Sequence, residues 1–200
     1  MGNFNLMNLA CIMPKLLDAE SCEKLIRYYE KNSAGKFTEH STHSGKSALV
    51  EASYTAVLVA DGVEEDVICR EAFDRARYKW CKHLEKHGMF DVTELHKVTS
   101  TVLRYRILKY EIGAFLHPHT DIGTDGYARH IRASCSINLT PMEDYEGGLF
   151  GFHNLKEVRK LDAGECLIFP ADSFWTHEVT PVSSGVRYSV NAFLGTDPSD

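Results

Sequence analysis

The segment His117-Pro118-His119-Thr120-Asp121 concentrates side chains that bind metals. His119 and Asp121 stand two residues apart, so in an extended chain both side chains project to one face. Pro118 favours such a path. His117, four residues before Asp121, is a less direct partner for it. A third ligand must come from a distant element, and His177, in Phe-Trp-Thr-His-Glu-Val, supplies one. Two imidazoles and a carboxylate cap one face of an octahedral ferrous ion and leave the opposite positions open for a cosubstrate and dioxygen. A His-x-Asp triplet is common on its own, and a histidine such as His177 often serves only a turn. The assignment of His119, Asp121 and His177 therefore depends on what accompanies them.

Ten residues beyond His177 lies Arg187, within Gly-Val-Arg-Tyr-Ser-Val-Asn. In a strand, Arg187, Ser189 and Asn191 share one face, while Val186, Tyr188, Val190 and Ala192 share the other. A polar face on so apolar a strand is useful where it lines a cavity. A guanidinium holds a carboxylate through two parallel hydrogen bonds, and Ser189 can add a third. Taken alone, Arg187 reads as well as a surface ion pair on an edge strand. Together with the His-x-Asp pair and the distant histidine, it reads as the anchor for a dicarboxylate beside a metal.

The runs HTD, EGGLFGF and AGECLIFPADSFWTHEVTPVSSGVRYSV resemble the Fe(II)- and 2-oxoglutarate-dependent dioxygenase superfamily, most nearly its prolyl-4-hydroxylase-like, PKHD-type branch. The resemblance covers about residues 100 to 195. It implies a double-stranded β-helix, or jelly-roll barrel, with His119, Asp121 and His177 as the catalytic iron ligands. It also implies that Arg187, Ser189 and Tyr110 hold the cosubstrate. The implied cofactors are Fe(II), 2-oxoglutarate and O2, with ascorbate as a candidate reductant. The implied reaction hydroxylates an unactivated C–H of an amino acid, a peptide or protein residue, or a small natural product, and converts 2-oxoglutarate to succinate. Related halogenases carry a small residue in place of the carboxylate, so Asp121 points to hydroxylation. Two other classes compete: a non-catalytic metal- or metabolite-binding barrel, and a cupin-type metalloenzyme that needs no 2-oxoglutarate. The complete ligand and anchor set speaks against the first, and the offset of Arg187 against the second.

These residues need a scaffold. Asp18 is placed to cap a helix through AESCEKLIRYYEKN, with Leu25, Ile26 and Tyr29 on one face. A polar loop, KFTEHSTHSGKSALVEA, leads to a candidate strand, SYTAVLVA. A second helix is expected from about Glu64 to Lys86, with Val67, Ile68, Ala72, Trp80, Cys81 and Leu84 at helical spacing. From about residue 97 the texture changes to short runs rich in β-branched and aromatic residues, separated by Gly, Pro and Asp. The expected fold class is thus α+β: one oxygenase domain over 1–200, with helical support over about 1–95 and a barrel core over about 97–195.

Substrate contacts are expected from the 36–50 loop, the 122–132 segment and the 171–176 turn. Arg129, Arg132 and Trp175 are the candidates, with His130 beside the two arginines for an anionic group. With 200 residues there is enough chain for one proper core. A net charge of −6 argues against a nucleic-acid partner. Six cysteines without a CxxC pair suggest reduced, buried thiols and a cytoplasmic protein. No signal peptide and no membrane-spanning run is read from the sequence, and the partner expected is a small-molecule or peptide substrate. Oligomeric state is not legible at this level.

Overall fold

The computed structural model describes residues 5–35, 53–88, 91–123 and 126–197. Three α-helices and twelve strands occur among them. The helices are α1 (Ala19–Lys31), α2 (Glu64–Lys86) and α3 (Val92–Val98). The strands are β1 (Cys11–Met13), β2 (Thr55–Leu58), β3 (Thr101–Tyr110), β4 (Leu116–His119), β5 (Ile131–Asn138) and β6 (Tyr145–Gly147). They continue with β7 (Phe150–Phe152), β8 (Glu157–Arg159), β9 (Cys166–Pro170), β10 (His177–Val179), β11 (Val182–Gly185) and β12 (Arg187–Gly195).

Asp18 caps α1 as its position requires, accepting a hydrogen bond from the Ser21 amide at 2.8 Å. Three acidic residues, Glu64, Glu65 and Asp66, occupy the first turn of α2 and complement its dipole. Its buried stripe runs through Asp66, Cys69, Phe73, Ala76, Trp80 and Leu84. Val67, expected inside, is rotated off that stripe and is 46% exposed. Its place is taken by Asp66, which accepts from the Gly62 amide and pairs with Arg70. α3 and β1 were not anticipated, because each is too short to build up a periodicity. The polar segment 36–52 lies outside the described residues.

The strands form a six-stranded sheet in the order β1-β9-β5-β12-β3-β2, a four-stranded sheet in the order β4-β10-β7-β8, and a β11-β6 ribbon. The pairings are antiparallel. No ring of hydrogen bonds closes them into a barrel among the described residues; the two main sheets instead face each other. The large sheet is covered on both sides, and period-two alternation divides its side chains. Ile107, Ala133, Cys135, Ile137, Ile168, Val190, Ala192 and Leu194 pack outward against Leu25 and Tyr29 of α1 and Ala72, Phe73 and Trp80 of α2. Leu108, Tyr110, Leu167 and Phe169 point inward against Phe150, Phe152, Trp175 and Val179. Burying a large apolar side chain stabilises a fold by about 1.5–3 kcal/mol. The outer layer thus fixes the central strands, and their other face is free to carry polar groups. No helix of the described residues is long and apolar enough to cross a membrane.

Candidate metal centre and carboxylate pocket

β4 and β10 are paired so that His119 lies directly opposite His177, which brings together two residues 58 positions apart. Their ring centroids are 4.2 Å apart. β4 ends at His119, so Asp121 sits in a bend just past the strand rather than on it. Its carboxylate turns back between the two rings. One oxygen lies 3.4 Å from His119 Nε2, and the other lies 3.4 Å from His177 Nε2. The three ligating atoms all fall within 4.8 Å of one another. The edge position of β4 also accommodates Pro118, which has no amide hydrogen to give a neighbour.

The imidazoles are held in one orientation. His119 Nδ1 lies 3.0 Å from the His117 carbonyl, and His177 Nδ1 lies 3.0 Å from the Trp175 carbonyl. Each Nδ1 therefore carries the proton, and each Nε2 turns a lone pair toward the centre. Phe150 stacks on His177 at 5.3 Å with 9° between planes, and Phe169 meets the same ring edge-on at 4.9 Å. Burial pushes His177 down to about 4, against the pull of Asp121. Burial alone would raise the Asp121 carboxyl. His177, His119 and the Ser134 hydroxyl, which donates at 2.5 Å, hold it well below the usual carboxylate range. Burial opposes charge on His119 too, but Asp121 and the His117 carbonyl outweigh it and raise the ring.

The centre opens into a cavity of about 200 Å3 between the two sheets. This is smaller than the roughly 300–1,000 Å3 of sites for drug-sized ligands. Its inner wall is β12, which contributes Arg187, Asn191 and Phe193; Ser189 lies on the same face of the strand but is not among the lining residues. Arg187 is 1% exposed, and no carboxylate pairs with it among the described residues. Its guanidinium carbon sits 5.1 Å above the Tyr110 ring, and its charge acts on both the Tyr110 and Tyr145 hydroxyls. Its Nε and Nη1, and the Ser189 hydroxyl, are buried without a hydrogen-bond partner. A buried cation with unmet donors is costly and calls for an anion. The donor set fits both groups implied by the motifs: two imidazole lone pairs and a carboxylate for a divalent metal, and convergent donors for a carboxylate.

Several contributors were not singled out from sequence. Ser134, on β5, orients Asp121. Tyr145 braces Arg187 while donating to the Leu161 carbonyl at 2.8 Å. Gly148, at φ +57°, lies against the Arg187 stem, where a Cβ would meet Arg187 Cδ at 3.0 Å. Arg106 also lines the cavity at 8% exposure. Counting back by twos from Tyr110 on the same strand places Arg106 on the cavity face, and that signal was available. The substrate candidates fare differently. Trp175 is 1% exposed and packs on Phe152 and Phe169 beneath the site, so it is a core residue and not a rim contact. Arg129 and Arg132 are exposed and stand outside the cavity lining; Arg129 contacts His130, and Arg132 donates to the Arg129 and Ile131 carbonyls.

With this geometry in place, comparison with known proteins can be set beside it. Residues 105–195, a little under half of the chain, match the 2OG-Fe(II) oxygenase superfamily. The matched segment contains the His119, Asp121 and His177 cluster together with Arg187. A PKHD-type hydroxylase of Phenylobacterium zucineum is 38% identical over 115 residues, 52% of this chain and 47% of that protein. One from Synechococcus sp. is 32% identical over 110 residues, 48% of each chain. The chain spans about a quarter to a half of the length of the curated relatives it matches. Among solved structures, a Pseudomonas putida prolyl-4-hydroxylase superposes with a TM-score of 0.68 at 17% identity, covering 94% of this chain and 92% of that one. The viral collagen prolyl hydroxylase of Paramecium Bursaria Chlorella virus-1 gives 0.68 at 16%, covering 94% and 97%. A Trichoplax adhaerens prolyl hydroxylase in complex with a hypoxia inducible factor peptide fragment gives 0.66 at 16%, covering 94% and 84%. The family's reaction uses Fe(II), 2-oxoglutarate and O2.

Proposed function

We propose that this protein is an Fe(II)- and 2-oxoglutarate-dependent hydroxylase acting on an amino acid, a peptide or protein residue, or a small natural product. On this reading the chain is one domain, and the two facing sheets are the halves of a jelly roll buttressed by α1 and α2. His119, Asp121 and His177 hold the metal, and Arg187, Ser189 and Tyr110 hold the far carboxylate of 2-oxoglutarate. The observation that carries the proposal is the fully buried Arg187, which lacks a carboxylate partner among the described residues and opens onto the same cavity as the His-Asp-His cluster. A cupin-type site gives no reason for such a group.

When bound, iron and 2-oxoglutarate supply oxidative decarboxylation coupled to C–H hydroxylation. The chain supplies position. The His117 and Trp175 carbonyls keep both Nε2 atoms aimed at one point, and Ser134 keeps the Asp121 carboxylate turned toward it. Arg187 takes one end of the diacid, so its keto-acid end is delivered toward the His-Asp-His cluster. Phe150 and Phe169 exclude water behind His177. The likeness to structures of prolyl hydroxylases, one with a bound peptide, keeps a peptidyl substrate within the proposal.

The test is spectroscopic and then chemical. The protein is mixed anaerobically with Fe(II) and 2-oxoglutarate, and the visible metal-to-ligand charge-transfer band is sought. O2 is then admitted and succinate measured. A band followed by succinate supports the proposal, and absence of both overturns it.

A further inference from the structure

A pair of cations beside the cavity stands without a carboxylate. The exposed arginines elsewhere among the described side chains each meet one: Arg27 with Glu23, Arg70 with Asp66, Arg75 with Glu71 and Arg159 with Glu157. Arg129 and Arg132 are also exposed, and among the described residues no carboxylate lies within ion-pair distance of either. Asp172, on the neighbouring turn, accepts from the Phe174 amide instead. The two arginines bond only to neutral groups among the described residues. Arg129 Nε donates to His130 Nε2 at 2.9 Å, and Arg132 Nη1 donates to the Arg129 and Ile131 carbonyls at 2.8 and 2.9 Å. The last two bonds fold the Arg132 guanidinium back onto the Arg129 backbone, so both charges stand on one short stretch of chain. In a protein of net charge −6 this is a local exception, and it attracts an anion.

β5 fixes where that anion would sit. Ala133, Cys135 and Ile137 pack toward the helices. Ser134 and Ser136 share the opposite face, where they donate to Asp121 at 2.5 Å and to Asn191 at 3.0 Å. Arg132 is the next residue of that row, about 7 Å along the strand from the serine that holds a metal ligand. Ala128 and Ile131, the neighbours of Arg129 and Arg132 in the chain, line the cavity. The Ala171 amide donates to the Arg132 carbonyl at 3.0 Å, so the turn that carries the 66% exposed Phe174 starts beside it. A molecule small enough to be enclosed in about 200 Å3 would not touch these arginines. One that reaches the metal centre and the arginines together must be extended.

We infer that Arg129 and Arg132 form a docking contact for an acidic peptide segment, and that they bind a glutamate or aspartate about two to four residues from the residue that enters the cavity. The spacing follows from reach: about 7 Å along β5, plus up to about 6 Å of arginine side chain, against about 3.4 Å per residue of extended peptide. Each guanidinium can take a carboxylate through two parallel hydrogen bonds. Resting on the oxygenase reading, this narrows the substrate to a peptide or protein chain.

The test uses two pools of decapeptides on an alanine–glycine background with a randomised central residue. The first pool has a glutamate two, three or four residues from the centre, and the second has a glutamine there. The full chain is loaded with Fe(II) and saturating 2-oxoglutarate, and succinate formed above the peptide-free rate is measured at low peptide concentration. The wild type should favour the glutamate pool about two- to thirtyfold, the range that two exposed ion pairs confer. The preference should shrink as salt rises from about 0.05 M to about 0.5 M. The Arg129→Gln/Arg132→Gln variant should form the anaerobic charge-transfer band like the wild type but lose the preference, and the double lysine variant should regain part of it. Equal response to the two pools, no response to either, or a preference untouched in the glutamine variant overturns the inference. Stronger inhibition by a single-stranded oligonucleotide than by the glutamate pool also overturns it, and would assign the arginines to phosphate. A wild type that forms no charge-transfer band and no succinate fails the oxygenase reading instead, so the two failures are distinct.

Discussion

Replacing Arg187 by Met separates function from stability, because the two should move in opposite directions. In the free protein, Arg187 Nε and Nη1 are buried without acceptors. Each such group costs about 1–3 kcal/mol. Methionine removes both, while giving up the stacking on Tyr110, worth about 1–2 kcal/mol. The balance lies between about zero and a gain of about 5 kcal/mol. For a chain of 200 residues that is a Tm unchanged or raised by up to roughly 20 °C. Cosubstrate binding loses two charge-assisted hydrogen bonds of about 1.5–3 kcal/mol each, weakening Kd by about 10^2–10^4-fold. Thermal unfolding, measured with Mn(II) in place of Fe(II), reads both effects. At a hundred times Kd, 2-oxoglutarate stabilises the wild type by about 2.7 kcal/mol, or roughly 5–11 °C. That shift should vanish in Arg187→Met at the same concentration, while the ligand-free Tm does not fall. A variant whose ligand-free Tm drops by several degrees and whose 2-oxoglutarate shift survives would show that Arg187 is a structural cation, and would remove the basis of the proposed function.

Three further outcomes follow from the geometry. Ser134→Ala removes the 2.5 Å hydrogen bond to Asp121 and should weaken metal affinity about 10–100-fold in an Mn(II) titration, with the metal-saturated KM for 2-oxoglutarate unchanged. Gly148→Ala places a methyl 3.0 Å from Arg187 Cδ at a φ of +57°; it should destabilise the protein by about 1–3 kcal/mol in urea unfolding and raise the 2-oxoglutarate KM, and an unchanged KM would mean the YEGG turn does not brace the anchor. The metal-free protein should lose stability on acidification. His177 is held at about 4 when folded, against about 6.5 when unfolded, so the unfolded chain takes up the extra proton and stability falls as pH drops from about 6.5 through 4. The loss from this group is on the order of 3 kcal/mol and is complete below the folded value. Asp121, whose folded value is also depressed, adds a further loss below the unfolded carboxylate range, and the raised His119 partly offsets the first. Urea midpoints between pH 7.5 and 4.5 should flatten in His177→Gln, and an equal slope in that variant would assign the dependence elsewhere.

The legible parts of this molecule are those written with a period or a fixed offset. α2 begins and ends at Glu64 and Lys86 as expected, since 23 residues supply enough turns to show an apolar stripe. β12 is legible because its alternation separates Arg187, Ser189 and Asn191 from Tyr188, Val190 and Ala192, and the structure turns those two sets to opposite faces. The convergence of His119 and His177 was inferred through their offset from Arg187; what creates it is a cross-strand pairing between two short strands, which no local pattern encodes. The sequence pointed to a jelly-roll barrel; which strands share a sheet is set by the hydrogen-bond network, which strand count and spacing do not encode.

The substrate candidates lie elsewhere than the cavity wall, for a different reason. Trp175, Arg129 and Arg132 were chosen because they stand in loops near the metal motif, where binding residues concentrate. Trp175 is drawn inward because Phe152 and Phe169 offer it an aromatic pocket, and its carbonyl is needed to hold His177. Among the described residues the two loop arginines bond to neighbouring backbone and to His130. Arg106 was passed over because it stands mid-strand in TVLRYRILKY, where a cation reads as a solvent-facing residue of a half-exposed sheet. That reading presumes one wet face. Here α1 and α2 cover one face of the large sheet and the four-stranded sheet covers the other, so an arginine in the middle of β3 has only the cavity to occupy. The layering that stabilises the fold is therefore also what turns Arg106 into part of the site.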